Sequence, residues 1–274
     1  MDTLTNFLDR YHLRTSMFYA GNFCGRSHYK STAGVGHIHF VESGNIELKM
    51  PGKKTITIKE PSVIFLTSSE EHNLNTKPHD SVHLVCGTID LGLQEGSQLF
   101  KGMPDCLVLS LVEFPELKDI MSLLFAEAGK NKLGAGKAIN SLLEYFVILL
   151  LRHVTDHELV GQGVLAALGN KELGQLMVKL HQSPNENWTV QSMGQEIGMS
   201  RTKFSNYFKH CLGETPLQYL THWRLNLARQ LIDQGCSLKL IPGKVGYASE
   251  LALSRAYQKK FNITPATYRY SLRR

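Results

Sequence analysis

The sequence predicts two domains: an all-β barrel with trailing helices, then an all-α domain in which two helix-turn-helix units are joined by a long helix. Three observations carry this. Between residues 34 and 89, apolar residues recur at a period of two, punctuated by Gly and Pro, with no interleaved helices. Residues 186–269 repeat one helix–turn–helix pattern, at an offset of 48 residues before the turn and 49 after it. Charge divides with the domains. Residues 1–171 hold 16 Lys+Arg against 18 Asp+Glu, whereas residues 172–274 hold 14 against 6. The basic half suits a polyanion, and the first half is close to neutral. A chain of 274 residues, 42% hydrophobic and 20% charged, can bury two cores and is neither disordered nor a rod.

The strands come first. Val35, His37, His39 and Val41 share one face of an alternating run, and Ser43-Gly44-Asn45 turns the chain. Ile46, Leu48 and Met50 follow at the same period, then the Pro51-Gly52 turn and a run over 55–58. Pro61 interrupts before Val63-Ile64-Phe65-Leu66, and 82–89 adds another strand. Short strands with Gly/Pro turns indicate a barrel or sandwich. Leu107, Val108, Leu109 and Leu111 make a last strand-like run.

Helices trail the strands. Residues 115–128 place Leu117, Ile120, Met121, Leu124 and Phe125 on one side. Residues 129–136 read as a loop. Residues 137–154 form a strong helix whose apolar positions, among them Ile139, Leu143, Phe146, Val147 and Leu150, cover more than half the circumference. Two surfaces then need burial. One suits the barrel and the other a second copy, so this helix is the expected homodimer contact. Residues 156–170, with three glycines, read as the link between domains, giving expected bounds of 1–160 and 172–274.

Five cysteines at wide spacing form neither a disulfide framework nor a zinc motif and point to a reducing compartment. Residues 1–12 carry Asp2 and Asp9 and no apolar run, so no signal peptide is expected. The most apolar stretch, 146–151, is shorter than the roughly 20 residues that span a bilayer. The expected location is the cytoplasm, at the bacterial nucleoid, with no membrane partner. His37 and His39 share a strand face. Glu42, His72, His79 or His83 could complete a metal site with them, but two histidines at i,i+2 are half a site. We therefore assign no metal and no cofactor, and read these histidines as pocket-lining or structural. No phosphate loop, nucleophile elbow or HExxH motif occurs, so no enzyme is expected.

The second domain repeats. Thr189 suits an N-cap, with Trp188 placed to staple onto Met193. Val190, Met193, Gly194 and Ile197 face inward, Gly198-Met199-Ser200 turns the chain, and Ser200 caps a helix over 201–211 with Phe204, Tyr207 and Phe208 inward. In the second copy Ser237 can cap a short helix with Leu238, Ile241 and Val245 inward. Gly246-Tyr247-Ala248 turns, and Ser249 caps 250–260 with Leu253, Tyr257 and Phe261 inward. The offset carries Gly198 onto Gly246, Ser200 onto Ser249, Ser205 onto Ser254, Pro216 onto Pro265 and Tyr219 onto Tyr268. One helix over 217–232 joins the units. Such an arrangement offers two recognition helices to successive major-groove segments about 34–36 Å apart.

Residues 172–274 resemble the DNA-binding domain of the AraC/XylS family of bacterial transcription regulators. The resemblance rests on Gly198-Met199-Ser200 through Phe208-Lys209, Gly213-Glu214-Thr215-Pro216 with Tyr219-Leu220, and Arg224-Leu225 with Ala228-Arg229 and Leu231. Gly246-Tyr247 through Arg255-Ala256-Tyr257 and Phe261-Asn262-Ile263-Thr264-Pro265 with Tyr268-Arg269 complete it. The first half resembles, more weakly, the cupin-like sensor domains that precede such units, through His39-Phe40-Val41 with Gly44, the 61–66 strand, His72 and Leu84-Val85-Cys86-Gly87. Together they cover most of the chain.

The resemblance implies a sequence-specific regulator of double-stranded DNA with a small-molecule effector, an N-terminal dimer contact and, for an activator, RNA polymerase as partner. It implies base-reading roles for Arg201, Thr202, Ser205 and Asn206 in the first recognition helix, and for Glu250, Leu251, Ser254 and Arg255 in the second. Arg can engage guanine, Asn adenine, and Leu251 a thymine methyl. Ser200, Lys203, Lys209, Arg224, Lys244, Ser249, Lys259 and Arg269 are the phosphate candidates, and His37, His39, Phe65 and His72 the effector-pocket candidates. One departure stands out. Pro242 falls inside the first helix of the second unit, where it would cost a hydrogen bond to Leu238 and either kink the helix or delay its start. Either outcome would alter how 250–260 is offered to DNA and weaken the second reader. The rival readings are a metal-dependent cupin enzyme with an accessory nucleic-acid-binding part, and a nonspecific architectural binder.

Overall fold

The computed structural model describes residues 3–8, 14–31, 34–67, 70–90, 102–129, 132–157 and 159–272. Asp2 and Asp9 of the signal-peptide argument lie outside them. The chain forms two compact units, Leu8–Leu165 and Ala166–Arg274 with Met1–Phe7.

After helix α1 (Thr3–Leu8), the first unit is a β-sandwich closed by helices. Strands β1 (Arg14–Phe23), β3 (Val35–Ser43), β6 (Ser62–Leu66), β8 (Val82–Asp90) and β9 (Cys106–Ser110) form one sheet, in the order β1-β8-β3-β6-β9. Strands β2 (Arg26–Tyr29), β4 (Ile46–Lys49), β5 (Ile56–Ile58) and β7 (His72–Asn75) form the other, in the order β2-β7-β4-β5. The expected strands over 35–66, 82–89 and 107–111 are present. β1, β2 and β7 were not expected. β1 breaks its alternation with a bulge between Met17 and Tyr19, β2 is short, and His-Asn-Leu-Asn hides the buried alternation of β7 among polar residues.

Alternation sorts the strands' side chains. Val41, Ile64, Leu66, Leu84 and Cys86 meet Ile46, Leu48 and Leu74 between the sheets. The other face of the five-stranded sheet carries Phe40, whose ring lies 4.9 Å from that of Phe146 on α3 (Ala135–Asp156). A Cβ on Gly87 would stand 2.9 Å from Leu143, so glycine lets α3 come close. Asn140 of α3 accepts the Met17 N–H at the bulge (3.2 Å), and its carbonyl accepts from Thr15 Oγ1 (2.8 Å). Helix α2 (Leu117–Ala128) packs on α3 and the same sheet. By length and composition α3 is a helix that could cross a bilayer, yet Leu143, Phe146, Val147, Leu150 and Leu151 are buried. Its other side is partly open. Leu142, Ile148 and Leu149 are half-buried and Tyr145 is exposed. The segment 156–170 is not a plain link, because Val164–Gly169 forms α4.

The second unit contains α5 (Lys171–Gln182), α6 (Val190–Glu196), α7 (Arg201–Leu212), α8 (Pro216–Asp233), α9 (Ile241–Val245), α10 (Glu250–Phe261) and α11 (Pro265–Ser271). Thr189 caps α6 and Thr215 caps α8, each in a capping box, while Ser200 and Ser249 cap α7 and α10. Trp188 Nε1 donates to the Ser183 carbonyl at 2.9 Å. In the second unit the expected cap moves. Ser237 accepts a turn bond from Leu240 N, Leu240 is the N-cap, and Pro242 lies in the first turn of α9. First-turn N–H groups have no intrahelical acceptor, so the proline sacrifices no hydrogen bond there. The delayed start is thus the outcome, and α10 keeps the twelve residues and serine cap of α7.

Candidate functional site

Two groups of residues stand out, one in each unit. In the second unit, Phe204, Phe208 and Leu212 bury one face of α7, and Leu253 and Tyr257 bury one face of α10. The opposite faces are open. Arg201, Thr202 and Asn206 are exposed, and Ser205 is half-buried between them. On α10, Glu250, Leu251 and Arg255 are exposed and Ser254 is half-buried. These are the same helical positions in both copies, so each copy offers a matching stripe. Leu251 is 60% exposed, large for an apolar side chain on a helix face, as contact with a thymine methyl would use. Lys203, Lys209, Lys244 and Lys259 are exposed as well. The cap serines accept from backbone amides, Ser200 from Lys203 N (3.4 Å) and Ser249 from Ala252 N (3.1 Å).

Two phosphate candidates are occupied elsewhere. Arg224 Nε donates to the Pro184 carbonyl (2.7 Å) and its Nη2 to that of Glu186 (2.9 Å). Burial pushes its pKa below the usual arginine value. Arg269 Nη2 donates to the Cys236 carbonyl. Arg224 thus directs two of its five N–H donors, and Arg269 one, to carbonyl oxygens within the unit, so both tie the fold together. Their residue type could not reveal this.

In the first unit, His37 and His39 from β3 meet His72 from β7 across the sandwich. Ring centroids lie 5.2 Å apart for His37–His72 and 5.1 Å for His39–His72. Tyr29 stacks on His72 at 4.8 Å, and Phe18, at the β1 bulge, lies 6.1 Å from His37 and 6.3 Å from His39. Neither aromatic residue was among the candidates, since both lie on strands whose alternation was hidden. Phe65 is not with them. It sits between Ile64 and Leu66, which line the interior, and so faces the helices.

The hydrogen bonds set the tautomers. The Glu70 carbonyl only accepts, so His72 Nδ1, 2.9 Å away, carries the proton. His72 Nε2 is then the acceptor for His39 Nε2–H at 2.9 Å. That leaves His39 Nδ1 as a buried lone pair without a partner among the described residues, and His37 Nδ1 is buried without one among them too. Burial first, then neighbouring histidines, pushes His37 down to about 4 and His39 well below its ordinary value. Burial also lowers His72. The cluster is neutral near pH 7. Cys86 is buried, which pushes its thiol up to about 12 and keeps it un-ionised.

A cupin barrel invites a metal, and the donors here do not fit one. Among the described residues, no three His, Cys, Asp or Glu side chains group to hold a metal ion. His39 and His72 spend facing nitrogens on each other, and Glu42 pairs with His83.

Residues 2–156 match the Cupin family, and residues 193–271 match a Helix-turn-helix domain family. The chain is 28% identical over 269 residues to an uncharacterized HTH-type transcriptional regulator of Haemophilus influenzae, covering 90% of each chain. It is 29% identical over 241 residues to the RCS-specific HTH-type transcriptional activator RclR of Escherichia coli, covering 86% of this chain and 84% of that one. Among solved structures, the DNA-binding domain of AdpA in complex with a target DNA is similar to 38% of this chain and 95% of that chain, at 26% identity and a TM-score of 0.37.

The lowered histidines make stability depend on pH. The folded value of His37, about 4, lies below the 6.5 of a free imidazole. As pH falls through 6.5 the unfolded chain takes up protons that the fold refuses, and the loss grows until about 4. We expect the thermal midpoint of the first unit to drop between about pH 7.5 and about pH 5, and His37→Asn to shrink that drop. An identical drop in the variant would contradict the assignment.

Proposed function

Because this chain belongs to the AraC/XylS family of DNA-binding transcription regulators, with a first domain of the Cupin family, we propose that it reads one DNA site with two helices, α7 and α10. Its partner is double-stranded DNA, and it is a regulator rather than an enzyme. The observation that carries the two-helix reading is the pair of matching exposed stripes, Arg201, Thr202, Ser205 and Asn206 on α7, and Glu250, Leu251, Ser254 and Arg255 on α10. Charge attraction alone requires no such matched pair, which argues against an architectural binder. Lys203, Lys209, Lys244 and Lys259, with the cap serines Ser200 and Ser249, serve the phosphates. The protein acts in the bacterial cytoplasm, on the nucleoid.

Selection from a random duplex pool by the full-length protein tests this. The expected result is one motif with two contacted segments about one helical turn apart. Arg201→Ala and Arg255→Ala should each cost about 1–3 kcal/mol and relax preference within one segment, a different one for each. General affinity that vanishes with added salt would remove the reading.

The first unit has two further roles in this proposal. The open side of α3, with Leu142, Tyr145 and Leu149, pairs two copies, supported by a helix apolar beyond what its own sheet covers. Sedimentation should show a dimer that Tyr145→Glu splits, and a wild-type monomer at all concentrations ends the idea. The histidine cluster takes a small effector that donates a hydrogen bond to His39 Nδ1 between the rings of Phe18 and Tyr29. A compound that raises the thermal midpoint of the wild type should leave His39→Leu unmoved, and an equal rise in both places the effector elsewhere. Where the regulator activates, RNA polymerase is its partner at the promoter.

A further inference from the structure

The second unit contains two turns of like sequence in unlike surroundings. Gly198 and Gly246 close the turn of the first and second helix-turn-helix, and both are left-handed, with φ of +66° and +81°. That backbone alone favours glycine at each. A Cβ on Gly198 would meet nothing within 4 Å. A Cβ on Gly246 would stand 2.7 Å from the Pro184 carbonyl oxygen and 2.8 Å from Arg224 Nη2. Pro184 belongs to the loop before α6, part of the first reader, and Gly246 belongs to the second. Arg224 lies on α8, the helix between the two readers, and its donors bind the Pro184 and Glu186 carbonyls. The Tyr247 phenol, itself half-buried, lies close enough to perturb the guanidinium.

We propose that Arg224 is a positioning residue that sets the distance between the two DNA segments the protein reads. Its fork ties the 184–186 loop of the first reader to α8, and the Gly246 turn of the second reader closes over the same two groups. The three pieces then move as one. A helix of 18 residues, about 27 Å long, resists bending but does not stop a unit from pivoting at either end. A pivot that displaces one recognition helix by about 3.4 Å moves it one base pair along the duplex. The junction suppresses that pivot. Arginine suits it because two N–H groups on one rigid plane reach two carbonyls at once, which a lysine ammonium on a flexible stem does not. The inference rests on the two-helix reading proposed above, and it assigns Arg224 a part in spacing and none in choosing a base.

The test uses full-length protein and duplexes built from the site selected above. In one series the segment between the two contacted stretches is lengthened or shortened by one base pair. In another, only the stretch read by α7 is kept. Wild type should lose about tenfold or more in affinity on altered spacing, the size of a mismatched contact. Arg224→Met, which keeps the stem and removes the donors, should bind altered and original spacing within about threefold of each other. Arg224→Lys should behave likewise although its charge is retained, and so should Gly246→Ala. Gly198→Ala, strained by a similar φ but facing open space, should keep the spacing penalty. Binding to the single stretch should stay within about twofold of wild type for the Arg224 variants. Should Arg224→Met fail to fold, Arg224→Lys and Gly246→Ala decide the matter. A spacing penalty retained in those variants overturns the inference while leaving the two-helix reading intact. Single-stretch binding that falls as far as whole-site binding also overturns it, because the residue then acts on one reader alone. A wild type indifferent to spacing overturns the two-helix reading and this inference with it.

Discussion

Helix α8 has to be buried on two sides at once, and the second unit is organised by that demand. Tyr219, Leu220 and Trp223, near its start, belong to the first reader. The Trp223 ring stacks on His181 of α5 at 3.6 Å, and the Tyr219 hydroxyl meets His181 Nε2 at 2.7 Å. Leu225, Ala228 and Ile232, further along, belong to the core of the second reader with Ile241, Val245, Leu253 and Tyr257. One helix therefore closes one unit and opens the next. The repeat reuses the device at its end, where Tyr268 of α11, the counterpart of Tyr219, donates to Asp233 of α8 at 2.7 Å while the Arg229 guanidinium lies 4.5 Å from its ring centre. With the cores fixed this way, α7 and α10 are held by their inner aromatic and aliphatic residues, and their outer faces are left open.

The same logic of two-sided burial runs through the barrel. β3 buries His37, His39 and Val41 toward the second sheet, and Ile38 and Phe40 toward the helices. A strand with two buried faces has no position to spare for an uncompensated polar group. On β3 the exceptions among the described residues are His37 and His39. Their depressed basicity keeps them uncharged where a charge would be costly. The bulge that brings Phe18 toward them is tied by Asn140 of α3, so the helix supports the cluster from behind the sheet.

Legibility in the sequence followed the strength of local periodicity. β3, β6 and β8 alternate or run apolar without interruption and were legible. The caps Thr189, Ser200 and Ser249 were legible because an N-cap needs a particular side chain at a particular offset. β7 was not, since His72 and Leu74 alternate with two asparagines and the burial of a histidine depends on a strand distant in sequence. The barrel histidines could be named, but not their company. Phe18 arrives through a bulge, and Phe65 departs because its parity along β6 puts it on the far face. Pro242 was legible as a disturbance. Its remedy, a helix beginning one turn later, depends on the tertiary packing of Ile241 and Val245.

The arginines carry the last step. A basic residue in a DNA-binding unit invites assignment to phosphate, yet Arg224 turns two of its N–H groups, and Arg269 one, to carbonyl oxygens inside the unit. The outer part of α7 offers Arg201, Lys203 and Lys209 with no acidic residue in the helix. α10 begins with Glu250 and carries Arg255, Lys259 and Lys260, with Leu251 exposed. Counted over each whole helix-turn-helix, residues 186–216 hold three Lys+Arg against three Asp+Glu, whereas residues 235–265 hold five against one. The second helix-turn-helix therefore carries the greater net positive charge, and the start of α10 adds an acidic and an exposed apolar side chain. Two copies of one sequence pattern thus differ in the charge and side chains they expose, even though both helices are capped and buried in the same way.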